Sequence, residues 1–157
     1  MFQNLINAIK IDMSEFDSSL INDMTYMFSG CSSLKELNLN NLDTSSVTDM
    51  RAMFSGCNSL TSLNLSSFNT HLVTFMSSMF NGCSSLKYLN LHSFDIRNVN
   101  CICSMFNGCS SLLYLNLYSF VETSVMTSYC SYSNVFSGCN SLKYCMNSPN
   151  LINIKRS

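Results

Sequence analysis

MFSGCSSLKELNL, residues 27–39, returns as MFSGCNSLTSLNL at 53–65, MFNGCSSLKYLNL at 79–91 and MFNGCSSLLYLNL at 105–117. A worn copy, VFSGCNSLKYC, starts at Val135. The first three intervals are 26 residues and the last is 30. A fixed period of this length marks a solenoid, in which each unit is too small to bury its own apolar edge and stacked units bury a continuous one.

Within the first full copy the apolar positions are Leu34, Leu37, Leu39, Leu42, Val47, Met50, Met53 and Phe54. Leu37 and Leu39 alternate with polar neighbours, so Lys35–Asn40 reads as a short strand with leucine inward. Val47, Met50, Met53 and Phe54 have the spacing of a helical turn or a 3₁₀ segment. Gly30, Gly56, Gly82, Gly108 and Gly138 each end such a segment, where glycine takes a left-handed conformation without a Cβ clash. Asp43-Thr44, Asn69-Thr70 and Asp95 follow the strand and suit a turn. The expected unit is strand, turn, helical segment and glycine stop.

The ends are less regular. Phe2, Leu5, Ile6 and Ile9 make one apolar helical stripe, so residues 1–10 read as an N-terminal helical cap. Residues 11–26 read as a partial repeat, 27–134 as four full repeats, 135–148 as a partial repeat and 149–157 as a tail. Four extra residues within Val121–Asn134 read as an outward loop. Asn147 stands where earlier copies place leucine and Pro149 follows, so the array should stop near Tyr144. Leu151, Ile152 and Ile154 are expected to fold back as a makeshift C-terminal cap.

The chain has 157 residues, a formal net charge of -1 and 11% charged residues. That is one domain's length. It lacks the basic face that nucleic acid or an anionic membrane surface requires. No apolar run is long enough for membrane insertion as a helix, and the first residues lack the pattern of a secretory signal. No nucleophile-elbow or phosphate-loop pattern appears, so no catalytic residue, cofactor or metal is assigned.

The recurring pattern MFxGCxSLxxLNLxxFDTxxVTxM resembles the BspA-like leucine-rich repeat family, whose 25–26-residue repeats occur in many bacterial and protist surface proteins. The resemblance covers residues 11–148. It implies an α/β fold: a right-handed leucine-rich-repeat solenoid with short parallel strands on one face and short helical segments on the other. It also implies binding or adhesion rather than enzymology, and a cell-surface location. Two features depart from the family pattern. No export or anchoring segment is evident, and the slot that usually holds Asn or Cys after the strand holds Phe16, Leu42, Phe68, Phe94 and Phe120 instead.

Nine cysteines fall into two groups. Cys31, Cys57, Cys83, Cys109 and Cys139 recur once per repeat and should form a column. Parallel side chains in a ladder cannot all pair, so the column reads as buried, reduced thiols acting as small apolar residues, which suits a cytoplasmic or other reducing compartment. Cys101, Cys103, Cys130 and Cys145 lie outside the column; Cys101 and Cys103 flank inward Ile102 and should point outward. A metal site there with His92 or His71 lacks a second pair at zinc-binding spacing.

The outward strand positions change from copy to copy. One column reads Asn38, Asn64, Asn90 and Asn116, and is expected either to serve the strand face or to bond along the stack. Its flanks read Glu36, Ser62, Tyr88, Tyr114, Tyr144 and Asn40, Ser66, His92, Tyr118. Tyr88, His92, Tyr114, Tyr118 and Tyr144 are therefore the candidate partner-binding residues, because tyrosine gives rigid area plus a hydroxyl. The expected function is non-enzymatic binding of a protein, peptide or glycan on the strand face. The alternatives are a structural spacer or adhesin-array fragment that self-associates end to end, and a cysteine-based metal or redox protein.

Overall fold

A computed structural model of the chain describes residues 1–120 and 132–147. Among these residues are five short strands: β1 (Lys10–Asp12), β2 (Glu36–Asn38), β3 (Tyr88–Asn90), β4 (Tyr114–Leu117) and β5 (Tyr144–Asn147). β1 pairs with β2, and β3, β4 and β5 form a second sheet, every pairing parallel. The rung between the two sheets keeps a single parallel bridge, Ser62 to Tyr88. The strand read over Lys35–Asn40 is thus shorter than expected, and the array continues past Tyr144 to Asn147.

No helix occurs among the described residues, which corrects the α/β expectation and both helical readings. The segment Met50–Cys57 shows why. Met53, Ser55 and Cys57 N–H groups donate to the carbonyls of Met50, Ala52 and Phe54, three residues back. The alternate N–H groups of Met50, Ala52, Phe54 and Gly56 donate instead to Phe75, Ser77, Met79 and Asn81 of the next rung, at 3.0, 3.0, 2.9 and 2.7 Å. A helix would use every one of these donors internally. Here half of them tie rung to rung, and Ala52 at φ 52° and Gly56 at φ 74° bend the chain to allow it. A second parallel ladder, Asp23–Asp49–Phe75–Cys101, runs up this side.

Residues 2–10 are not a cap helix. Phe2 N–H donates to Met27 O and Asn4 N–H to Ser29 O, the bonds that Phe28 and Gly30 make one rung later. Asn4 holds φ 60°, the left-handed slot that glycine fills elsewhere. Residues 1–26 therefore repeat the geometry of 27–52.

Among the described residues the core includes three continuous stacks. Phe2, Phe28, Phe54, Phe80, Phe106 and Phe136 lie ring on ring with centroids 5.6 to 5.8 Å apart. Leu42, Phe68, Phe94 and Phe120 are buried as the second spine, with Phe68 and Phe94 at 6.2 Å. Leu34, Leu60, Leu86 and Leu112 complete the inner wall. Parallel, offset rings of this kind add to the area they bury. The loop expected within Val121–Asn134 lies almost entirely outside the described residues, as do the tail and the C-terminal cap.

Candidate functional site: the strand face

The register places Tyr88 beside Tyr114, and Tyr114 beside Tyr144, on adjacent parallel strands. Tyr88 and Tyr144 are 59% and 65% exposed. Tyr114 is half-buried, and its Oη donates to Met146 Sδ at 2.7 Å, which lays its ring toward the next rung. On the other flank His92 and Tyr118 pack at 6.3 Å between ring centroids. The structure therefore assembles the five predicted residues as two aromatic columns.

The asparagines between these columns have a structural role that spacing alone left open. Ser66, His92 and Tyr118 N–H groups donate to the Oδ1 atoms of Asn64, Asn90 and Asn116, two residues earlier. Each Asn thus closes an Asx turn at its strand end. Asn40 N–H donates likewise to Asn38 Oδ1, and Asn38 Nδ2 donates to Asp12 Oδ1 across the stack.

Where Ser62 gives way to Tyr88 the column lacks a ring, and a depression of about 450 Å³ opens, lined by Ser62, Leu63, Asn64, Tyr88, Asn90 and Tyr114. It contains no charged side chain. The N-terminal part of the face is different. Lys10, Asp12, Lys35 and Glu36 line a second depression of about 380 Å³. Lys10 Nζ meets Glu36 Oε2 at 3.3 Å, both well exposed. Sequence reading missed this charged end because Lys10 was assigned to a cap. The signal was available: Met1-Phe2 stands one period before Met27-Phe28, which puts Lys10 in the Glu36 column.

The cysteine column sits inside. Cys31, Cys57, Cys83, Cys109 and Cys139 donate S–H to the carbonyls of Phe2, Phe28, Phe54, Phe80 and Phe106 at 3.0 to 3.2 Å. Burial pushes the Cys57 and Cys109 thiols up to about 12 and Cys139 up to about 11. Such thiols are poor nucleophiles at neutral pH. Cys101 and Cys103 are half-buried rather than fully outward, and their sulfurs lie 3.0 Å apart. Burial, and Cys101 beside it, raise Cys103 to about 11. Among the described residues no three His, Cys, Asp or Glu side chains gather as a metal-binding group. No helix among them is long and apolar enough to cross a membrane.

Residues 1–120 match a family described as "Mycoplasma protein of unknown function". No curated protein matches. Three solved structures resemble the chain. A leucine-rich cell surface protein from Faecalibacterium prausnitzii has a TM-score of 0.61 at 20% identity, over 96% of this chain and 36% of that one. A leucine-rich repeat protein of T. pallidum has a TM-score of 0.52 at 18% identity, over 90% of this chain and 68% of that one. A leucine-rich repeat protein from Bacteroides ovatus has a TM-score of 0.51 at 20% identity, over 96% of this chain and 40% of that one. The chain thus spans well under half the length of the first and third. These likenesses show the leucine-rich-repeat fold.

Proposed function

We propose, for a chain that belongs to the Mycoplasma family DUF285, of unknown function, a non-enzymatic recognition module that binds a protein partner through its strand face. The observation that carries this reading is the unbroken register of Tyr88, Tyr114 and Tyr144 beside an uncharged depression. Tyrosines on rigid strands lose little entropy on binding, and the depression offers an apolar partner side chain a seat. The partner segment is uncharged where it fills the depression between Ser62 and Tyr114, and carries charge where it reaches Lys10, Lys35 and Glu36. Adhesion at a cell surface is the setting this supports, given that one structural neighbour is itself a cell surface protein.

The test is capture of partners from the native host with wild-type protein and with the Tyr88→Ala/Tyr114→Ala double variant. Unchanged folding should accompany a loss of affinity of roughly 30-fold, since two hot-spot tyrosines together contribute about 2 kcal/mol or more. Equal capture by both proteins refutes the siting.

A second reading, end-to-end stacking of copies, has its own observation. The first rung leaves Leu5, Ile6 and Ile9 exposed. Sedimentation that depends on concentration, and that Ile6→Asp/Ile9→Asp abolishes, would establish it. A monomer at all concentrations would remove it.

A further inference from the structure

We propose that Cys101 and Cys103 are an oxidisable dithiol, a modification site at which a low-molecular-weight disulfide such as glutathione disulfide closes a Cys101–Cys103 bond. This inference is independent of the strand face. It rests on how the second ladder shapes its turns. In the first two rungs of that ladder an aspartate closes the turn: Thr25 N–H donates to Asp23 Oδ1 at 2.7 Å, and Arg51 N–H to Asp49 Oδ1 at 2.9 Å. The side chain two residues on then folds back over the acceptor, as Arg51 Nε does on Asp49 Oδ2 at 2.8 Å. In the fourth rung a thiol takes the carboxylate's place. Cys103 N–H donates to Cys101 Sγ at 3.4 Å, and the same fold-back brings Cys103 Sγ within 3.0 Å of Cys101 Sγ.

The backbone holds this arrangement from both sides. Met76 N–H donates to Cys101 O and Ser78 N–H to Cys103 O, while Ile102 between them is buried in the core. The sulfurs are thus paired by the rung itself, and bond formation needs a further approach of about 1 Å to reach a disulfide length of about 2.05 Å. Ordering that is already in place makes the second, intramolecular step fast relative to any competing intermolecular one. Both cysteines are half-buried, so a small disulfide reaches them. The column cysteines offer no such pair, because each thiol is directed to the carbonyl of the preceding rung.

The reaction balances as two exchanges. The Cys101 thiolate attacks a sulfur of glutathione disulfide, forms a mixed disulfide and releases one glutathione thiolate, which also removes the neighbouring thiolate that helps burial hold the Cys103 proton. The other cysteine's thiolate attacks the protein sulfur of that mixed disulfide, forms the Cys101–Cys103 bond and releases the second glutathione. The dithiol loses two electrons and two protons, and glutathione disulfide is reduced to two glutathione molecules.

The experiment treats the folded, fully reduced chain with glutathione disulfide, quenches in acid, then unfolds and alkylates it. The expected product has a peptide spanning Cys101 and Cys103 that is two hydrogens lighter and carries no alkyl group, while Cys57, Cys83 and Cys109 are alkylated. Cys103→Ser should stop at a glutathione adduct on Cys101. Serine is already the residue at position 77, the equivalent of 103 one rung earlier, so Cys103→Ser suits the fold. Three results overturn the proposal: wild-type protein in which both cysteines stay alkylated, wild-type protein that retains glutathione on either, or a link from either to Cys130 or Cys145. The wild-type result decides the matter if a variant fails to fold.

Discussion

Gly82 holds φ 72°, and a Cβ built there would meet Gly56 N at 3.7 Å, an ordinary contact. Space is therefore not what selects glycine at this corner. The left-handed backbone is, and it costs a non-glycine residue about 1–2 kcal/mol. Gly82→Ala should lower unfolding free energy by about that amount in denaturant titration, with no change of fold by circular dichroism. A variant as stable as wild type would show that the corner is not strained. The neighbouring Cys83 belongs to a column whose effect is felt in pH. The ordinary thiol value is 9.0, and burial raises Cys57 and Cys109 to about 12. Below pH 9 both folded and unfolded chains keep these protons, and the contribution to stability is complete. Between pH 9 and about 12 the unfolded chain releases protons that the folded rungs retain, so stability falls as pH rises, by up to about 1.4 kcal/mol per pH unit for each such cysteine. Denaturation midpoints at pH 8 and pH 10.5 should separate accordingly. Equal midpoints would mean that the thiols ionise alike in both states.

At the scale of the element, what holds one turn to the next is a hydroxyl that the repeat pattern did not disclose. Thr70 is buried, and its Oγ1 accepts from Asp95 N–H at 2.7 Å and donates to Asp95 O at 3.0 Å. Thr44 does the same to Asn69, and Ser18 Oγ accepts from Asp43 N–H. Thr70→Val keeps the shape but strands a backbone donor and acceptor, so it should destabilise by about 1–3 kcal/mol. An unchanged thermal midpoint would mean that water or another group satisfies Asp95. The strand positions were legible because Leu37-x-Leu39 alternates and recurs, and because copies in register must align Tyr88, Tyr114 and Tyr144. The helical segment was misread because an i, i+3 spacing is shared by helices and by successive tight turns. What separates the two is where alternate N–H groups go, and those partners lie one rung away, outside any local window. Cys101 and Cys103 were placed outward on alternation alone, which ignored the Asx-type turn that draws both sulfurs together.

Across the whole molecule, each rung is held chiefly by its two neighbours, through Phe stacks, S–H to carbonyl bonds and alternate backbone N–H groups. Stability in such an array is nearly a sum of nearest-neighbour terms, so a rung with one neighbour opens before a rung with two. Residues 1–26 form such a rung. β1 pairs with β2 alone, and Leu5, Ile6 and Ile9 remain exposed, although the inner-rung equivalents of Leu5 (Cys31, Cys57 and Cys83) are buried. Lys10 and Asp12 flank that strand edge, which discourages pairing with a further strand. Native-state hydrogen exchange should therefore grade along the stack. The amides of Phe2 and Asn4, bonded to Met27 O and Ser29 O, should exchange at least about tenfold faster than those of Phe54 and Gly56, a difference of about 1.4 kcal/mol in opening free energy. If the first rung instead exchanged with the centre of the array, a cover over Leu5, Ile6 and Ile9 would be required, and the end-to-end contact of copies would be the arrangement that supplies it. Repeating the exchange on Ile6→Asp/Ile9→Asp then separates the two outcomes, because only a covered first rung gains exchange rate from that change.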